Sequence, residues 1–307
     1  MKALVTGGAG FIGSHLVEAL VKSGCPVRVL DNFSSGTMEN LRAVKNRVQI
    51  IRGDITRLET VLKCTNGVDA IFHEAALVSV PRSIQDPKTT HEVNVSGTLN
   101  VFEAARIQRV KRVIFASSCA VYGDSPALPK KETLPPNSVS FYAESKAICE
   151  NYARLYHRYH TMDIVGLRYF NVFGERQDPN SPYSGVISIF IKKFNKNEMP
   201  VIYGDGKQTR DFIYVGDVVR ANILAARQKG ISGQVFNVGT GKETSLNGLL
   251  KNLNRVFGRK VRARYENARA GDVRRSFADT AKAARILKFK ASHDFFEVLK
   301  KISKPHA

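Results

Sequence analysis

Long apolar runs, paired cysteines and blocks of like charge are all missing from this 307-residue sequence. No run reaches the ~18–20 apolar residues needed to span a bilayer, so a transmembrane helix and a membrane partner are not expected. The four cysteines, Cys25, Cys64, Cys119 and Cys149, lie 30 or more residues apart, with no Cys-x-x-Cys among them. Neither a zinc site nor a disulfide framework follows. No metal is expected, and the thiols read as reduced, half-buried small side chains. Residues 1–10 (MKALVTGGAG) carry one lysine and pass straight into a strand and a glycine turn. The apolar region and cleavage site of a signal peptide are absent, which makes the cytoplasm the expected compartment. Acidic residues are scarce too, 27 Asp and Glu against 47 Lys and Arg, for a net charge of +20. The cations are scattered, with no run of five. A solvated basic surface, or attraction of a small anionic substrate, accounts for them without nucleic acid as a partner.

What the sequence does have is core. Hydrophobic residues make up 43% and charged residues 24%, which excludes a disordered chain or a fibre. At ~100–200 residues per domain, the length suits one large domain with an appended lobe. The first half alternates strand and helix. Strands are predicted at Lys2–Val5, Pro26–Leu30, Val48–Arg52, Ala70–His73, Val113–Ala116 and Ile164–Arg168. Helices are predicted at Phe11–Lys22, from Pro87 to about Arg109, and at Tyr142–Tyr159. Thr56-Arg57-Leu58-Glu59 has the spacing of a capping box, and Asp86-Pro87 supplies an N-cap and a first-turn proline. This alternation implies an α/β fold, a doubly wound parallel sheet of the Rossmann type. Residues 1–170 form that unit. Residues 171–307 form mainly a smaller, loop-rich C-terminal substrate-binding lobe, from which a strand and helix around 210–240 return to the sheet.

Gly7, Gly10 and Gly13 sit between the first strand and the first helix. Glycines there allow a tight turn, close approach of backbone to a pyrophosphate, and close packing of helix on strand. The helix N-terminus then presents its unpaired N–H groups to the anion. Asp31 ends the second strand, where a carboxylate bonds the adenosine ribose hydroxyls and repels a 2′-phosphate. Asn32 follows it in place of an arginine, so NAD is expected over NADP. Asp54 and Ile55 can bracket the adenine, and the small Ala75 and Ala76 let backbone close on the cofactor.

Tyr142-Ala143-Glu144-Ser145-Lys146 puts a phenol and an ammonium one helical turn apart. A nearby lysine lowers a tyrosine's pKa, giving a general base for a substrate hydroxyl. Tyr203-Gly-Asp-Gly-Lys207 has the same spacing but lies in a glycine-rich loop that cannot be helical. Tyr142 follows the strand ending at Ser117-Ser118, and Ser118 can share the proton.

Taken together, TGGAGFIGSHL (residues 6–16), DNFSSG (31–36), SSCAVYG (117–123), Tyr142–Lys146, LRYFNV (167–172), GDGKQTRDF (204–212), FNVGTG (236–241) and ARAGD (268–272) resemble the extended short-chain dehydrogenases/reductases that act on nucleotide sugars, UDP-hexose 4-epimerases above all. The resemblance implies that Tyr142 is the base at the sugar 4-hydroxyl, with Lys146 lowering its pKa and holding the nicotinamide ribose, and Ser118 assisting. It implies NAD contacts from Phe11, Ile12, Ser35, Gly36, Asn94, Ser117 and Tyr169 in addition to the residues above. It assigns the UDP-sugar to Ser79, Asn171, Val186, Tyr203, Arg210, Arg269, Asp272 and Ser276, the two arginines neutralising the diphosphate. A homodimer joined through the helices at 86–109 and 141–160 is implied as well.

Related dehydratases and decarboxylases place acidic residues after the serine matching Ser118. Here Cys119 and Ala120 stand there, which argues against both lyases. The family's gate beside the sugar 2-substituent falls on Ser276. A small residue there implies acceptance of UDP-GlcNAc and UDP-GalNAc besides UDP-glucose and UDP-galactose, and Ser79-Val-Pro-Arg-Ser83 resembles hexosamine-preferring members. UDP-glucuronate 4-epimerisation is the alternative, which the +20 charge favours weakly. A non-catalytic NAD-binding regulator would be expected to lack Tyr142 or Lys146, and both are present.

Overall fold

The computed structural model describes residues 1–179, 185–268 and 273–303. Strand β1 (Ala3–Thr6) leads into helix α1 (Phe11–Lys22), then β2 (Val27–Asp31), β3 (Val48–Arg52), α2 (Leu58–Thr65) and β4 (Ala70–His73). Helices α3 (Val80–Gln85), α4 (Pro87–His91) and α5 (Gly97–Ile107) precede β5 (Arg112–Ser118), α6 (Phe141–His160) and β6 (Ile164–Tyr169). Beyond these come β7 (Asn171–Phe173), α7 (Val186–Asn195), β8 (Val201–Tyr203), β9 (Thr209–Arg210), β10 (Phe212–Tyr214) and α8 (Val215–Arg227). The last elements are β11 (Val235–Val238), β12 (Thr244–Ser245), α9 (Leu246–Phe257), β13 (Arg264–Glu266), β14 (Arg275–Ser276) and α10 (Phe295–Ile302).

Seven strands form one sheet in the order β11-β6-β5-β4-β1-β2-β3, and every neighbouring pair is parallel. Helices cover both faces, so β1, β4 and β6 are buried along their whole length. The two-residue period of a strand divides their side chains between two cores. Ala3 and Val5 join α1 and α8 through Leu16, Val17, Leu20, Val218 and Ala221. Leu4 points the other way, into a core with Val61 of α2, Phe102 of α5 and Ala153 of α6. A third core, built from Phe190, Phe194, Phe212, Leu249, Leu253 and Leu299, holds the C-terminal elements together, where the Phe212 and Phe295 rings stack at 5.8 Å.

Some local expectations are corrected. The capping box does not form. The Thr56 hydroxyl donates to Asp54 Oδ1 at 2.8 Å, and α2 begins one residue later with Arg57 as its N-cap. Asp86 does cap α4, accepting from Thr89 N at 3.0 Å, but the helix that follows is not uniform. A wide π turn at Glu92–Ser96 interrupts it. There the Asn94 carbonyl accepts both the Thr98 hydroxyl at 2.5 Å and the Cys149 thiol at 3.2 Å, side-chain donors competing with the helical ladder. All four cysteines are free, and Cys64 and Cys149 are fully buried, not half-buried, because they pack into the second core.

Candidate active site

Parallel strands deliver their C-terminal ends to one edge of the sheet, and the expected cofactor residues cluster there. Gly7 follows β1, Asp31 closes β2, Asp54 follows β3, Ala75 and Ala76 follow β4, Ser117 and Ser118 end β5, and Tyr169 ends β6. Between β1 and β4 the strand order reverses, the place where such sheets open a crevice.

The turn before α1 leaves no room for side chains. Gly7 has φ +67°, and a Cβ there would lie 2.7 Å from Ala75 N. A Cβ on Gly13 would lie 2.1 Å from the Gly7 carbonyl oxygen. Gly36 is held equally close to Ala9. Asp31 is buried, its two carboxylate oxygens accepting from Ala9 N at 2.9 Å and Phe33 N at 2.8 Å. A carboxylate has about four acceptor positions, so two remain for ribose hydroxyls. Asn32 is tied to Asp54 at 2.8 Å, Ile55 is buried beneath Gly97, and Ser35 is exposed. Phe11 and Ile12 are half-buried in the first turn of α1. A cradle that only glycine can line, a helix N-terminus and a strand-end aspartate fit a dinucleotide.

Ser140 caps α6 by accepting from Ala143 N at 3.1 Å, which fixes where the helix starts and therefore where Tyr142 and Lys146 project. Ser118, at the end of β5, accepts from Ala120 N at 3.1 Å and stands near enough to the Tyr142 phenol to draw its pKa down. Lys146 is buried, donates to the Ala116 carbonyl at 2.9 Å and holds its ammonium 5.9 Å from the centre of the Tyr142 ring. The expected lowering of the tyrosine pKa by this lysine is not what the protein shows on its own. Burial pushes Tyr142 up to about 12, with Ser118 pulling the other way, because losing water costs the phenolate more than Ser118 returns. Burial also lowers the Lys146 ammonium.

Several other candidates are engaged with protein groups. Asn94 clamps the Leu77 backbone from both sides (2.7 and 3.0 Å) and donates to Ser145 at 3.0 Å, so both amide protons are in use. Ser117 donates to Glu150 at 2.5 Å, and Glu150 forks onto Arg168. Tyr169 donates to Glu74 at 2.7 Å and accepts from Asn222 at 2.7 Å. Ser79 caps α3. Asn171, Arg210 and Ser276 come together: β7 lies beside β10, and Ser276 of β14 is in register with Arg210 of β9. Ser276 is buried. Val186 opens α7, packed on the third core, and the Tyr203 carbonyl accepts from Gln208 at 2.6 Å. Gly204 and Gly206 have φ +81° and +71°, so the second tyrosine–lysine spacing is indeed a turn. Arg269 and Asp272 lie outside the described residues.

Among the carboxylates that escaped the sequence reading are the buried Asp211 and the half-buried Glu74 and Glu150. Glu150 lies one turn beyond Lys146, a spacing that flags it in retrospect. Asp211 adjoins Arg210 and accepts four hydrogen bonds. Glu74 has no sequence signal, and burial pushes it up to about 7 against the pull of Tyr169 and Lys146. Cys119 is pushed up to about 12 by burial although the Arg210 charge acts against it, which keeps the thiol neutral. Among the described residues no group of three or more His, Cys, Asp or Glu is arranged to hold a metal, and no helix is long and apolar enough to cross a membrane.

Residues 3–239 match the NAD dependent epimerase/dehydratase family. The chain belongs to that family. Its cofactor is accordingly NAD. A UDP-glucose 4-epimerase of Mycolicibacterium smegmatis is 40% identical over 94% of this chain and 92% of its own. The structure of a UDP-N-acetylglucosamine 4-epimerase from Methanobrevibacter ruminantium, in complex with UDP-N-acetylmuramic acid, superposes with a TM-score of 0.94 at 42% identity, covering 98% of this chain and 96% of that one. A Thermus thermophilus UDP-glucose 4-epimerase complexed with NAD reaches 0.91 at 36% identity, covering 99% and 98%.

Proposed function

We propose that this family member is an isomerase that inverts C4 of UDP-sugars, interconverting UDP-GlcNAc with UDP-GalNAc and UDP-glucose with UDP-galactose. The observation that carries the reading is the Ser118–Tyr142–Lys146 arrangement at the end of β5, next to a cradle for NAD. Relatives named as 4-epimerases of one or the other kind of sugar support it. Gly7, Gly10, Gly13 and Asp31 would hold the cofactor, and Lys146 would reach its nicotinamide ribose. Bound NAD supplies acceptance and return of hydride at the sugar's C4.

The protein's part is proton transfer and grip. As the phenolate, Tyr142 Oη would take the 4-hydroxyl proton as the alcohol becomes a ketone, with Ser118 beside it to share that proton. Lys146 is the resident cation that favours the phenolate once substrate has displaced water. Asn171, Arg210, Arg269 and Asp272 hold the UDP half while the 4-keto sugar turns over, and the same proton is returned to the opposite hand of the alcohol. Cys119 and Ala120 offer no acid or base beside Ser118, which keeps elimination and decarboxylation out of the cycle.

A homodimer in the cytoplasm is part of this reading. Tyr152, Leu155 and Tyr159 recur along one side of α6, are 36%, 40% and 68% exposed, and leave an apolar stripe near the exposed Phe141. Light scattering tests the dimer. The activity is tested by incubating purified protein with UDP-GlcNAc and separately with UDP-glucose, with and without added NAD, and resolving the C4 epimers by chromatography. UDP-GalNAc as a product supports the full reading. UDP-galactose alone keeps the reaction and removes the broad substrate range, and conversion of UDP-glucuronate only would assign the uronate instead.

A further inference from the structure

Asp211 is a fully buried carboxylate with no place in the proton transfer, and it joins three separate pieces of the substrate wall. Its Oδ1 accepts from Thr240 N at 2.8 Å and from the Thr240 hydroxyl at 2.6 Å. Oδ2 accepts from Gly241 N at 2.9 Å and Ala278 N at 3.1 Å. Its backbone carbonyl accepts from Asn171 N at 3.0 Å. Gly239 is pressed so close that a Cβ would stand 2.7 Å from Oδ2. One residue thus fastens β7 with Asn171, the turn after β11, and the segment two residues beyond Ser276. Its chain neighbour Arg210 is in strand register with Ser276.

Resting on the UDP-sugar reading above, we infer that Asp211 is a positioning residue that sets the spacing between the diphosphate arginine, Arg210, and the wall beside the sugar's 2-substituent, Ser276. A buried carboxylate held by four donors has a single low-energy arrangement. Any other side chain lets β9 and β14 settle differently. The site then loses grip on the diphosphate and loses its discrimination at C2, while the glycine cradle, which shares no hydrogen bond with Asp211, is untouched.

Asp211→Asn probes this with almost no change in volume. The amide replaces one acceptor oxygen by a donor, which must face either Thr240 N or both Gly241 N and Ala278 N. Thr240→Val removes the hydroxyl bond to Asp211 together with the one that the same oxygen accepts from Lys242 N at 3.1 Å, leaves the other three bonds to the carboxylate, and is the milder step in the same direction. Asp217→Asn serves as the control, since Asp217 is an equally buried carboxylate that fastens Ser292 and His293 away from the substrate wall. UDP affinity is measured by calorimetry, NAD content after denaturation, and kcat and KM on UDP-GlcNAc and UDP-glucose. Asp211→Asn is expected to weaken UDP about tenfold, to shift the ratio of kcat/KM between the two sugars by about threefold or more, and to keep its NAD. Thr240→Val is expected to move both quantities less, and Asp217→Asn to move neither. Unchanged UDP affinity and an unchanged sugar ratio in Asp211→Asn would overturn the inference, as would equal shifts in Asp217→Asn or a parallel loss of NAD. Wild-type protein that binds no UDP would overturn the UDP-sugar reading itself.

Discussion

Lys146 stands with its ammonium 5.9 Å from the centre of the Tyr142 ring and gives its hydrogen bond to the Ala116 carbonyl, 2.9 Å away. The pair is therefore poised without being in contact. With burial holding Tyr142 at about 12, the phenol keeps its proton until charge is brought beside it.

Tyr142→Phe removes the phenolic oxygen proposed as the base and leaves the ring, the helix and the proposed UDP contacts in place. Turnover should fall by about 10²–10⁴, with UDP-sugar affinity within about twofold of wild type. Steady-state turnover alongside calorimetry measures both. Near-normal turnover would remove Tyr142 from the role of base.

Gly13→Ala should empty the cofactor site. The added Cβ would meet the Gly7 carbonyl oxygen at 2.1 Å and the Gly8 Cα at 2.9 Å, backbone on backbone, so the turn has to open. NAD affinity is expected to drop about tenfold or more, with a Tm lower by several degrees. Chromatography of nucleotide released by denaturation measures the first, and full NAD content would show that this turn does not hold the pyrophosphate.

The sheet was legible because its evidence is local and redundant. Apolar runs end at Thr6, Asp31 and His73, each followed by a turn or a helix signal, and parallel strands buried on both faces leave little choice of pattern. The candidate site drew attention wherever a residue type is chemically unusual at its spacing, as at Gly13 or Tyr142. Asn94, Ser117 and Tyr169 are engaged by Leu77, Glu150 and Glu74, which come from the loop after β4 and from α6 and leave no signal beside them in the sequence. Asp211 was hidden for the same reason: its four donors lie 29 to 67 residues away along the chain. The Tyr142 pKa went the wrong way because burial is a property of the whole fold and spacing on one helix is not.

Glu74 makes stability depend on pH near neutrality. Its folded pKa of about 7 is raised from 4.5, so the folded state binds more protons than the unfolded chain between those values. The stabilisation is complete below about pH 4.5 and is lost as pH rises through 7. Glu74→Gln keeps a hydrogen bond to Tyr169 and has no charge to bury. Relative to wild type, its Tm should gain several degrees between pH 5 and pH 8, read by scanning calorimetry. A difference between the two proteins that stays flat with pH would show that Glu74 ionises normally.

Ser276→Tyr tests the gate. Ser276 is 8% exposed and paired in register with Arg210, so in the proposed reading a phenol at this position takes up the space beside the sugar's 2-substituent. An N-acetyl group needs that space and a 2-hydroxyl does not. kcat/KM on UDP-GlcNAc should fall about tenfold or more while UDP-glucose is turned over within about threefold of wild type. The asymmetry is the argument: disturbance of Arg210 alone would slow both substrates equally, because both carry the same diphosphate. Equal losses on the two sugars would therefore place Ser276 with the diphosphate grip and take the choice at C2 away from it.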